Sequence, residues 1–83
     1  MLVSVGSIVK SIKGRDENNF YVVVKIDGNN CLIANGKDKP FEKPKKKNLK
    51  HLKFINENFI NFKNFKNNSA INNHIIQLLN MHK

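Results

Sequence analysis

With 83 residues, the chain has room for one small domain whose core has little stability to spare, and a deep catalytic cleft is not expected. Fifteen Lys and Arg residues against six Asp and Glu give a formal charge of +9, the electrostatic footprint of a phosphate-rich partner, with nucleic acid first among the candidates. A single cysteine, Cys31, excludes an internal disulfide and fits a reducing compartment.

The opening "MLVSVGSIVK" has no basic region ahead of its apolar residues and no apolar run of membrane-spanning length. The expectation is therefore a cytoplasmic protein with neither signal peptide nor anchor. Asparagine pairs are frequent and arginine occurs only as Arg15, a pattern of an AT-rich coding sequence. The distribution of charge thus carries more weight than its sum.

Ser7 to Ile12, "SIVKSI", predicts a short strand, and "FYVVVKI" from Phe20 to Ile26 predicts the clearest one, rich in aromatic and β-branched residues. "KGRDENN" between them is turn-forming. "DGNN" then predicts a tight turn, "CLIA" a third strand, and "NGKDKP" a second turn cluster. Three strands in an antiparallel meander leave open edges, so a small barrel or half-barrel with at least one more strand is expected. "LKHLKFI", Leu49 to Ile55, is the candidate, although its leucine spacing also fits a short helical turn.

From Ile55 the apolar period becomes helical. Ile55, Phe59 and Phe62 predict a weak helix, with an irregular packed arm as the alternative because asparagine lowers helix propensity. Ile71, Ile75, Leu78 and Leu79 predict a better helix, capped by Asn68 or Ser69. These stripes are expected to cover the open side of the barrel.

In order and spacing, "VGSIVKSIKGRDENNFYVVVKIDGNNCLIANG" resembles the KOW-type SH3-like barrel: Gly6 opens the first strand and Gly14, Arg15 and Asp16 form the first turn. The continuation "EKPKKKNLKHL" is similar to bacterial KOW-domain RNA-binding proteins related to the fourteen-e type of large-subunit ribosomal protein. The resemblance spans Val5 to about Leu52; the asparagine-rich tail departs from it. It implies a mainly β protein with a small SH3-like, KOW-type antiparallel barrel over residues 1–55; the apolar spacing of the tail adds the expectation of a helical C-terminal extension over 56–83 packed on it. The resemblance further implies an RNA-binding module acting on ribosomal RNA or the large ribosomal subunit.

The candidate contacts form two groups. Lys37, Lys39, Lys43, Lys45, Lys46, Lys47, Lys50 and Lys53, with His51, occupy a segment whose only acids are Asp38 and Glu42. Pro40 and Pro44 are expected to hold its backbone extended, so that successive lysines follow a phosphate chain. The turn with Lys13, Gly14 and Arg15 is the second group: glycine permits a positive φ, and the guanidinium suits phosphate or a guanine edge. The alternative there is a structural turn in which Arg15 pairs with Asp16 or Glu17. Phe20, Tyr21 and Phe41 are candidates to stack on unpaired bases, although most aromatic residues are expected in the core.

Three scattered histidines and one cysteine make no metal set, and no nucleophile with its base, paired carboxylates or phosphate loop is evident. A non-catalytic, monomeric binding module without cofactor is the expectation. Its rivals are an adaptor for an acidic protein and a binder of anionic membrane surface.

Overall fold

The run that begins at Phe20 forms the middle of the sheet. In the computed structural model, which describes residues 3–82, strands β1 (Ile8–Ser11), β2 (Phe20–Asp27), β3 (Asn30–Ala34), β4 (Lys45–Asn48) and β5 (Leu52–Asn56) form one antiparallel sheet in the order β4-β3-β2-β1-β5. Both faces of β2 are covered. Tyr21 and Val23 pack in one cluster with Val9, Cys31, Ile33 and Leu52, while Val22 packs on the other face with Ile8, Ala34 and Ile60. A strand buried on both sides has no solvent side to carry polar residues, which is why "YVVV" is unbroken.

Asp27 and Asn30 pair across a two-residue turn whose first residue, Gly28, has φ +60°, the glycine position of a tight hairpin. The predicted segment Leu49 to Ile55 divides: Leu49–His51 is a 3-10 turn capped by Asn48, and the strand starts only at Leu52. Strand β4 was not predicted. Lysine disfavours strands, but Lys45–Asn48 forms the edge beside β3, and lysines on an edge discourage further pairing. β5, the other edge, carries Lys53. No backbone ladder joins β4 to β5 among the described residues, so the sheet is not closed.

The tail corrects the helical reading of Ile55 to Phe62. β5 runs to Asn56, and an irregular arm with one 3-10 turn, Phe62–Asn64, follows. Its backbone crosses Gly6, where a Cβ would lie 2.7 Å from both the Asn58 carbonyl oxygen and the Ile60 nitrogen. Only a glycine admits that approach. Helix α1 spans Asn68–Asn80 and is capped by Asn67, one residue earlier than expected, whose Oδ1 accepts from the Ala70 N–H at 2.9 Å. Ile71, Ile75 and Leu79 are buried along one face, each contributing about 1.5–3 kcal/mol by leaving water. Asn72 ties the helix to the β3–β4 connection: its Oδ1 accepts from the Phe41 N–H at 2.7 Å and its Nδ2 donates to Glu42 at 2.8 Å. No described helix is long and apolar enough to cross a membrane.

Candidate nucleic-acid interface

The connection from β1 to β2 is organised by Asp16. The Ser11 hydroxyl donates to Asp16 Oδ1 at 2.8 Å, Lys47 Nζ to the same oxygen at 2.6 Å, and Lys45 Nζ to Oδ2 at 3.1 Å. Lys47 also donates to the Lys13 carbonyl at 2.8 Å. The side chains of Asp16 and Lys47 are each 9% exposed and that of Lys45 34%. Burial alone would raise the Asp16 pKa, but the hydrogen bonds from Lys47, Ser11 and Lys45 outweigh it and hold the carboxyl well below the ordinary carboxylate range.

These bonds divide the predicted lysine segment. Strand alternation puts Lys45 and Lys47 on the face of β4 that the β1–β2 connection covers, where both pair with Asp16, whose one charge offsets half of theirs. Lys46 takes the opposite face, beside Leu32 and Lys25. Residues 37–53 are therefore not one extended track. Between the prolines the chain turns, with the Lys43 N–H donating to the Pro40 carbonyl at 3.0 Å. Lys37 and Lys39 flank a loop wound around Asn35, whose Oδ1 accepts from both backbone N–H groups at 2.9 and 3.0 Å. The Asn35 amide also donates to Asp38, lowering that carboxyl's pKa. Lys37 and Lys43 are exposed and Lys39 is half-buried.

Another set of cations is brought together from distant parts of the chain. The Ile12 N–H donates to the His51 carbonyl at 2.9 Å, which seats the β1–β2 connection against the 3-10 turn. Lys13, next in the chain after Ile12, thus lies near His51 and Lys50, with Gly14 and Arg15 following it in the same connection, and Lys10 faces Lys53 directly across the β1–β5 ladder. Lys13, Arg15, Lys50 and Lys53 are exposed, Lys10 and His51 half-buried. Gly14 has φ +93°, as the turn required. Among the described residues both ion pairs end on Asp16, so Arg15 has neither of the acidic partners that its structural alternative invoked.

The sequence reading missed Lys10 and Lys25. Each is a lysine inside an otherwise apolar strand, and that interruption was the available signal. The aromatic candidates resolve differently: Tyr21 is buried, Phe41 packs on Phe62 with ring centroids 4.8 Å apart, and Phe20 lies half-buried under Lys10 Nζ, 5.7 Å from its centroid. Burial pushes the Cys31 thiol up to about 11, leaving it protonated at neutral pH. No group of three or more His, Cys, Asp or Glu side chains among the described residues is placed to hold a metal ion.

Comparison with protein-family models gives no match, and neither does comparison with curated proteins.

Proposed function

We propose that the chain is a non-catalytic RNA-binding module of the SH3-like, KOW-type kind, acting on ribosomal RNA or the large ribosomal subunit. Its contact surface lies where the β1–β2 connection meets the 3-10 turn. The observation that carries this reading is the gathering of Lys10, Lys13, Arg15, Lys50 and Lys53 without an ion-pair partner among the described residues. Holding like charges together costs free energy, and a phosphate chain offsets that cost while releasing its counterions. Lys37, Lys43 and Lys46 extend the positive field, whereas Lys45 and Lys47 serve the fold.

The KOW-type reading is supported by a small antiparallel sheet with glycine corners whose fifth strand returns to pair with the first. Cover on both sheet faces supports it as well. The non-catalytic reading is supported by the work that three of the six acids already do: Asp16 binds two lysines, Asp38 binds Asn35, and Glu42 binds Asn72.

Ultraviolet crosslinking of the tagged protein in its own cells, followed by sequencing of the attached RNA, tests this function. Crosslinks concentrated at a few positions of large-subunit ribosomal RNA are the expected result. Scattered crosslinks would remove the ribosomal part, and near-absence of RNA would contradict the reading and leave an acidic protein or an anionic membrane as partner.

A further inference from the structure

Lys10 shares the helix-covered face of β1 with Ile8, and its cross-strand neighbours are Phe20 on β2 and Lys53 on β5. Like charges placed directly opposite destabilise an antiparallel pair. The face of the Phe20 ring, 5.7 Å from Lys10 Nζ, offsets part of one charge, but neither lysine has an acidic partner among the described residues. The row Lys53, Lys10, Phe20 leads to a cleft of ≈ 280 Å³ between the β1–β2 connection, the β3–β4 connection and α1. Phe20, Ile76 and Leu79 give the cleft an apolar wall, and Asn18, Asn80 and Lys37 give it amides and a cation.

An apolar wall, amides that both donate and accept, and an adjacent uncompensated pair of cations match the three parts of a nucleotide: the flat base, its polar edge and its phosphate. The cleft lies just below the roughly 300–1,000 Å³ of sites for drug-sized ligands, which suits a single base. A base inside a duplex is stacked and paired, so the occupant is unpaired. We propose that this end of the sheet is a subsite for one unpaired nucleotide, with its base in the cleft beside Phe20 and its phosphate at Lys10 and Lys53. The proposal rests on the RNA-binding reading and adds base contact, which lysines on phosphate do not supply.

Fluorescence anisotropy of the full chain with two end-labelled strands tests it: a ten-nucleotide single-stranded RNA and an abasic strand of equal length and charge. The base-bearing strand is expected to bind about tenfold tighter, within the range of base stacking on protein side chains. Phe20→Leu should bring the ratio of the two affinities toward one while leaving the abasic strand unaffected. Asn80→Ala, at the exposed end of α1, should reduce the same ratio and serves if Phe20→Leu perturbs folding. Lys10→Gln should weaken both strands alike. Equal affinity of the wild-type chain for the two strands would overturn the subsite while leaving phosphate binding intact. Binding of neither strand would remove both the subsite and the RNA-binding reading.

Discussion

The lysines of β4 and the cations around the β1–β2 connection carry the same charge on neighbouring elements, and they face opposite electrostatic situations. Lys45 and Lys47 converge on a carboxylate that is 9% exposed, itself held by a buried serine. Lys13, Arg15 and Lys50 project from a turn and a 3-10 turn joined by one backbone hydrogen bond, with no acid between them and solvent. A basic run in a sequence therefore does not have a single role. What decides it is whether the topology returns an acid to the same face, and here one aspartate in the first turn claims two of the three consecutive lysines.

The contrast is broken most strongly at Asp16. Asp16→Asn leaves Lys47 buried without a counter-charge and should cost about 3 kcal/mol in urea unfolding, the lower end for a broken buried pair because the half-exposed Lys45 can rehydrate. RNA affinity should not fall in this variant while it remains folded. The same carboxyl makes stability depend on acid. Its pKa is lowered in the folded state from the ordinary 3.8, so its contribution is complete above that value and is lost as the pH falls below it. Unfolding followed from about pH 5 to pH 2 should show a steeper loss in the wild type than in Asp16→Asn.

Gly36→Ala should act on the fold without touching either set of lysines. Gly36 has φ +81°, and an added Cβ would stand 2.5 Å from the Asn72 carbonyl oxygen in α1. A loss of about 2 kcal/mol in thermal unfolding is expected, from the strained φ and the displaced helix. Arg15→Gln with Lys50→Gln should do the reverse: stability stays within about 0.5 kcal/mol because both side chains are exposed. RNA affinity should fall about tenfold, and the slope of log affinity against log salt should decrease in magnitude by about two. The smallest effect is expected at Lys46, which lies between the two paired lysines in sequence but on the other face of the strand. Lys46→Gln should leave urea stability unchanged, which checks the alternation directly.

Much of the fold was legible because its core strands are extreme in composition. The run from Phe20 admitted no other reading, and "DGNN" specified its hairpin through Gly28. β4 was hidden because three lysines and an asparagine carry no strand propensity; it is a strand because Leu32 and Ile33 of β3 offer it a ladder. Of the two readings of the segment from Ile55, the irregular packed arm is the one found after β5: the spacing of Ile55, Phe59 and Phe62 favours a helix, yet Phe59 is 84% exposed and Ile60 is the buried residue. Asn61 accepts from the Lys63 N–H, a local alternative to a helix, and Asn58 donates to the Gly6 carbonyl at the start of the sheet, a tertiary bond that holds the arm there.

The residues of the site were largely visible as residue types, and their grouping was not. Nothing local to "KPKKKNLK" states that Asp16, some thirty residues earlier, faces two of its lysines. Nothing local to "SIVKSI" states that Lys10 will stand opposite Lys53. Both facts depend on sheet register, which pairs residues far apart in the chain.

The division of labour between the two groups of lysines is tested most directly by one variant, Lys45→Gln with Lys47→Gln, measured for both urea stability and affinity for a fragment of large-subunit ribosomal RNA. Stability should fall while affinity stays within about threefold of the wild type, since both ammonium groups are turned onto Asp16, which offsets one of their two charges, and the remaining long-range field is screened. A folded variant of unchanged stability whose affinity drops tenfold or more would contradict it, and would return the lysines of β4 to the binding surface.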